Sequence, residues 1–366
     1  MMLTIETLFN DANIISAIIN RVSQTRDDKI YWQQYLDFRR TTTRVFKDYI
    51  GSVTGVMAGS INSRYGEKPI RERRNIGSGY GEIAYLGDAY QISIDRLSEL
   101  QDLIDKFNAA KPANQNTALN EIINFVYDDF RQVMLAAHKR MDLVVGSLLM
   151  TGSANVKNKD NRSDINTPDV LEIDLPFKFI TPEAAVADKL ISYLQAQINS
   201  LKPQYGAFQK MVMSRGTFVK YIVGSPELGD KFKMILGQRE VMASAALVTS
   251  DLASQVFTGI GLPAIDIKED YVEDQQGINH QVYADGRITL LRQDKIGYMR
   301  FHTPYEATDP IPGRAYTQSD GNMLISQYRD KNGRYLEYTA EWIPQISNPT
   351  RIVNFDLSLI NAVQEG

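Results

Sequence analysis

The sequence predicts an α+β chain made of an N-terminal arm, a projecting β-hairpin, one long amphipathic helix and a compact second domain. Three observations carry that expectation. Between residues 117 and 151, apolar residues recur at Leu119, Ile122, Val126, Phe130, Val133, Ala137, Met141, Val144 and Leu148, the unbroken three-and-four spacing of a single helical face. Between residues 52 and 90, isolated apolar residues are separated by seven glycines, the pattern of strands with little core of their own. From Thr181 onward, helical and β-like runs alternate at the short spacing of a compact α/β region.

The arm, residues 1–48, has scattered apolar positions at Ile15, Ile18, Ile19 and Val22, then a polar-aromatic stretch around Tyr31, Trp32, Tyr35 and Phe38. These are too few to form a core alone, so the arm packs on something else, within the subunit or on a neighbour. The hairpin, residues 49–92, carries Val53, Val56, Ile61, Ile70, Ile76 and Ile83 among its glycines and basic residues. Its unpaired edges would be a liability in a monomer, which implies an intermolecular role.

Two helices follow. The first, 93–110, places Leu97, Leu100, Ile104 and Phe107 on one face. The second is the long helix at 117–151, on the order of 50 Å at 1.5 Å per residue, with Gly152 as its C-terminal stop. A coiled coil is the rival, but only one helix of this length exists, so a spine crossing a domain is preferred. A polar loop at 155–169 leads to the β-like runs 171–175 and 177–179. Pro182 then sits at the expected first position of a helix that carries Ala187, Leu190, Ile191, Leu194 and Ile198. Strands are expected at 208–214, 264–268, 281–284 and 287–291, with helices near 217–223, 226–234 and 239–248. The final stretch, 336–359, is β in composition and interrupted by Pro344 and Pro349.

Composition limits the function classes. A chain of 366 residues buries a substantial core without metals or disulfides. The absence of cysteine excludes disulfides, thiolate zinc sites and cysteine nucleophiles, and suits a reducing cytoplasm. A net charge of -4 is not that of a polyanion binder, so tight DNA contact is not expected. The start Met1-Met2-Leu3-Thr4-Ile5-Glu6 lacks the basic and apolar regions of a signal peptide. No stretch approaches the roughly 20 apolar residues of a membrane span, and no membrane partner is expected.

The order of elements, with four local stretches, carries a resemblance. They are Val144-Val145-Gly146-Ser147-Leu148-Leu149-Met150-Thr151-Gly152, then Leu262-Pro263-Ala264-Ile265-Asp266-Ile267, then Asp285-Gly286-Arg287-Ile288-Thr289-Leu290-Leu291, then Ile296-Gly297-Tyr298 leading to Thr303-Pro304-Tyr305-Glu306. Together they resemble the lambda-type major capsid protein E family of tailed phages, which has the HK97-like fold. Each stretch alone is weak, and their order and spacing over nearly the whole chain carry the likeness. The resemblance implies a 1–48 arm and a 49–92 extended hairpin, the E-loop. It implies a peripheral domain at 93–180 and 299–345 with the spine at 117–151, and an axial domain at 181–298 and 346–366.

What it implies for function is a structural subunit, not an enzyme, that assembles with itself into the hexamers and pentamers of an icosahedral shell around a double-stranded DNA genome. The location would be the virion, after assembly in the host cytoplasm. Further implied partners are a portal, decoration proteins and packaged DNA held with at most weak non-specific contact. Fewer than 50 residues precede the hairpin, so a separate scaffolding protein is expected. An encapsulin-type nanocompartment on the same fold is the alternative, and a hydrolase or nucleotide-dependent enzyme on 181–300 lacks a convergent acid, base and nucleophile.

No catalytic, cofactor or metal residues are expected. His138, His280 and His302 lie far apart without metal spacing, and His138, beside Lys139 and Arg140, reads as the solvated face of the spine. The glycines of 77–81 suggest a phosphate loop but lack its lysine and following helix. Asp266, Glu269, Asp270, Glu273 and Asp274 lack calcium-loop spacing and read as a solvated acidic loop. The candidate site is the hairpin's basic run, Arg64, Lys68, Arg71, Arg73 and Arg74. Pairing with acidic residues of an adjoining subunit is preferred over DNA contact, because charge on a projecting element gives register to assembly.

Overall fold

The computed structural model describes residues 2–10, 12–25, 29–50, 77–156, 171–228, 230–231, 249–274, 277–331 and 333–360. Helices α1 (Ile5–Asn10) and α2 (Ala12–Thr25) open the chain, followed by β1 (Leu36–Arg40), β2 (Val45–Ile50), β3 (Gly77–Glu82) and β4 (Ala84–Ile92). Next come α3 (Ile94–Ala109) and the spine α4 (Gln115–Thr151). Three short strands follow: β5 (Ser153–Val156), β6 (Leu171–Asp174) and β7 (Lys178–Ile180). After α5 (Leu190–Tyr205), β8 (Lys210–Ser214), a helical stretch at 215–223 and α6 (Ser250–Gly259), the rest is mainly strand. These strands are β9 (Ala264–Lys268), β10 (Tyr271–Glu273), β11 (Asn279–Gln281), β12 (Arg287–Leu291), β13 (Gly297–His302), β14 (Ala315–Gln318), β15 (Leu324–Asp330), β16 (Gly333–Ile346) and β17 (Val353–Asp356).

The spine runs 37 residues, about 55 Å at 1.5 Å per residue. Every expected face position from Ile122 to Leu148 is buried. Gly152 ends it in the left-handed region at φ 71°, with its N–H donating to Leu148 O at 2.8 Å, a conformation that glycine adopts without a Cβ penalty. Gly146 has a different task. A Cβ there would lie 2.1 Å from Val282 O, so only glycine lets the spine touch the 282–284 turn.

Against one side of the spine lies a six-stranded sheet in the order β1-β13-β16-β15-β14, with β4 also on β16. β16 is its axis: 334–342 pair with β4, 333–339 with β15 and 341–346 with β13. Arg334, Leu336, Tyr338, Ala340 and Trp342 alternate inward, as a two-residue period requires. Pro344 falls where β16 has β13 as its one strand neighbour, so a missing N–H is tolerated. The arm belongs to this core. Leu8, Phe9, Ile15, Ile18, Ile19, Val22, Tyr31, Trp32 and Tyr35 are buried within the chain, and β1 pairs in parallel with β13. The contact open between subunit and neighbour is thus made within the subunit.

A five-stranded sheet, β7-β17-β12-β8-β9, forms a second core with α5, α6 and 215–223. Met211, Met213, Ile288, Leu290, Val353 and Phe355 meet Leu190, Leu194, Phe218 and Phe257 there. The sequence expectations differ at two places. Pro182 precedes the cap residue Glu183 of a 3₁₀ turn at Ala184–Lys189, and α5 begins only at Leu190. The strand expected at 281–284 is instead the end of β11 plus a turn, because Val282 N–H donates to Asp270 O and Tyr283 turns inward to Thr289. The helix expected at 239–248 lies outside the described residues.

Candidate assembly site

Two features stand out: the base of the β2–β3 ribbon and the polar joint along the spine. β2 and β3 form a two-stranded antiparallel ribbon, in register from Val45↔Glu82 to Ile50↔Gly77. The glycines of 77–81 are thus strand residues, with no phosphate-loop geometry. Arg64, Lys68, Arg71, Arg73 and Arg74 lie outside the described residues, between the two strands of this ribbon. The 49–92 stretch divides here, since β4 leaves the ribbon after Ile83 and joins the six-stranded sheet.

The root is held by charge. Arg44, the residue before β2, donates from Nε and Nη2 to the two carboxylate oxygens of Glu341 at 3.1 and 2.6 Å. Glu341 is on β16 with 3% of its side chain exposed, and its Oε2 also lies 2.8 Å from His302 Nδ1 on β13. A bidentate arginine fork on a buried carboxylate fixes direction as well as distance, so the ribbon leaves the sheet at a set angle.

The joint lies along the spine. His138 is 2% exposed, contrary to its expected place on the solvated face. It stacks on Trp32 with ring centroids 5.7 Å apart and also packs against Trp342 and Phe38. The aromatic stretch of the arm covers this side of the helix and hides it from water. One turn on, Asp142 is buried and accepts from Trp32 N–H at 2.8 Å, with Lys139 Nζ at 3.8 Å. Burial pushes its carboxyl up to about 7, against the opposing pull of the Trp32 N–H and Lys139. From the other side Lys268 of β9 pairs with Asp266 at 3.0 Å, bonds Gln34 Oε1 and lies over the rings of Tyr31 and Tyr35. Residues 31–35 therefore bridge the spine and the edge of the five-stranded sheet. A second bridge is Thr289 of β12, whose hydroxyl meets Leu149 O of the spine at 2.9 Å, Tyr283 Oη at 2.6 Å and Asn354 Oδ1 at 2.5 Å.

The remaining sequence candidates separate. His280 pairs with Asp274 at 2.7 Å, and two further residues of the acidic stretch pair with cations, Asp266 with Lys268 and Glu269 with Arg215 at 3.3 Å. Among the described residues no group of three or more His, Asp or Glu side chains is placed to hold a metal ion. What reading the sequence missed is the row Met134, His138 and Asp142, four residues apart and buried beside the expected apolar face. Its spacing was a signal that the polarity of two members concealed.

No protein-family model and no curated protein matches the sequence. Solved structures do match it. One, described as a candidate capsid protein of a prophage of E. coli CFT073, superposes with a TM-score of 0.53 at 12% identity, covering 95% of this chain and 99% of that one. A phage-related protein from Bordetella bronchiseptica RB50 superposes at 0.50 with 8% identity, over 94% and 96% of the two chains. The chain has the HK97-like capsid fold. Within this fold α4 is the long central helix, and β2 and β3 form a two-stranded ribbon. The likeness extends over nearly the full length of the chain.

Proposed function

We propose that this chain is the major capsid protein of a tailed double-stranded DNA phage and polymerises into the hexamers and pentamers of an icosahedral shell. The observation that supports the reading is the match of the fold, over 95% of this chain, to a candidate capsid protein of a prophage. The six-stranded sheet with the spine is the peripheral domain, and the five-stranded sheet is the axial domain that meets its copies around the symmetry axis. The hairpin cations Arg64, Lys68, Arg71, Arg73 and Arg74 pair with acidic side chains of an adjoining subunit, where buried charge complementarity gives register and rejects wrong contacts. A scaffolding protein, a portal and decoration proteins complete the particle, formed in the host cytoplasm, and the enclosed DNA is held with weak non-specific contact. No particular observation favours the nanocompartment alternative over the phage shell.

The test is to replace residues 52–75 by a two-residue turn that keeps β2 paired with β3. The variant should keep the melting temperature and circular dichroism of the isolated subunit and lose the sedimenting shell. A shortened chain that still forms shells would overturn the role given to the hairpin.

A further inference from the structure

We infer that the end of the five-stranded sheet where β12 finishes and β17 begins holds a phosphate dianion, free or as a monoester, at the guanidinium groups of Arg292 and Arg351. The inference is independent of the shell reading. β12 and β17 pair antiparallel with Leu290 opposite Val353, and the same register carried two residues on sets Arg292 opposite Arg351. Ile288 and Leu290 face the core that α5 covers, and so do Val353 and Phe355. By the two-residue period both arginines belong to that face, at its margin, where each is partly buried.

Arg292 is held in place without being satisfied. Its guanidinium lies against Gly206, which ends α5 in the positive-φ region at 81°. A Cβ added there would stand 2.8, 3.0 and 3.1 Å from Nη2, Cζ and Nε, nearly equal distances, as a planar group lying face-on gives. Glycine therefore makes the room that the guanidinium occupies. The surface beneath it is fixed as well: Gly206 N–H donates to Lys202 O at 2.8 Å, Tyr205 stacks on Phe208, and Gln209 N–H donates to Leu291 O at 2.8 Å. Yet Nε of Arg292 is buried and meets no acceptor, although the last turn of a helix is where a cation ordinarily finds an open carbonyl. A buried donor left unmade is costly and calls for a partner.

Like charge adds a second cost. Charges of one sign set opposite each other on neighbouring strands are destabilising. Burial and, after it, the Arg292 charge hold the Arg351 guanidinium below its usual range. The acids nearest along the chain are matched elsewhere. Asp294, two residues past Arg292, pairs with Lys210 at 2.6 Å, and Asp356 pairs with Arg287 at 2.9 Å.

An anion seated at the pair removes both costs at once, and its class follows from charge and shape. Guanidinium groups present their donors in planar forks that match two oxygens of a carboxylate or a phosphate. A carboxylate or a nucleic-acid phosphodiester brings one negative charge to two positive ones. A free phosphate or a phosphate monoester brings about −1.5 to −2 near pH 7. Balance selects the dianion.

The test titrates the full-length chain with inorganic phosphate, with phenyl phosphate and with a DNA duplex lacking terminal phosphates, at constant ionic strength made up with chloride, and follows the melting temperature. Inorganic phosphate and phenyl phosphate should raise it above the chloride reference. Arg292→Met keeps the apolar stem and removes the charge. It should weaken the apparent affinity for phosphate at least about tenfold, the loss of one charge-assisted hydrogen bond, and should melt no lower than the wild type in chloride, because the opposed charge is relieved. Arg292→Lys keeps the charge without the fork and should retain only part of the response. A wild-type response to phosphate no larger than to chloride, or one that Arg292→Met keeps, overturns the site. Lower melting of Arg292→Met in chloride would mark the guanidinium as a structural group and overturn it too. Duplex binding that depends on Arg292, with no response to inorganic phosphate, would replace the dianion with nucleic acid and contradict the inference.

Discussion

Asp142 is where a single side chain sets a property of the whole fold. Its carboxyl stands at about 7 in the folded chain, chiefly because burial penalises the charge, against 3.8 when solvated. Between those values the folded protein keeps a proton that the unfolded chain has lost. Stability therefore falls as pH rises through this window, by up to about 4 kcal/mol once pH exceeds 7. Urea unfolding of the isolated subunit at pH 5 and pH 8 should show the decline, and Asp142→Asn should flatten it. An unchanged decline in the variant would assign it elsewhere. Gly146 makes a simpler demand. Gly146→Ala drives a methyl into the Val282 carbonyl and should cost about 1–3 kcal/mol, as overpacking does, although alanine is the better helix former. A gain in melting temperature would contradict the close approach. Neither result was legible in the residues alone: His138 and Asp142 stand beside Lys139 and Arg140, and a polar row next to charged neighbours reads as solvent-facing until the arm that covers it is seen.

Among the elements, the spine was legible in full because a 3.6-residue period over ten turns has no competing explanation. The β2–β3 ribbon was legible only in part. Val45 to Asp48 reads as the end of the arm, and 84–92 reads as more hairpin, because strand pairing depends on a partner that local pattern does not name. The arm was the opposite case, since its aromatic residues are too irregular to predict a core position and yet Tyr31, Trp32 and Tyr35 are almost wholly buried. At the ribbon root, Arg44→Ala would leave the buried Glu341 with His302 alone and should cost about 1–3 kcal/mol in denaturant unfolding. Arg44→Lys should recover only part of that, because an ammonium cannot supply the fork. Equal stability of all three chains would mean that the fork does not hold the root.

For the whole molecule, two sheets share one helix and are tied across it by residues 31–35 and by Thr289. The spine shares its apolar core with the six-stranded sheet, and residues 31–35 and Thr289 add polar ties to the five-stranded sheet. The central claim is that such copies close into a shell. The measurement that tests it most directly is electron microscopy of the full-length protein, expressed alone and with the genes that flank it. Closed particles of uniform diameter, or free rings of five and six subunits, are the predicted result. A monodisperse, folded monomer under both conditions would contradict it.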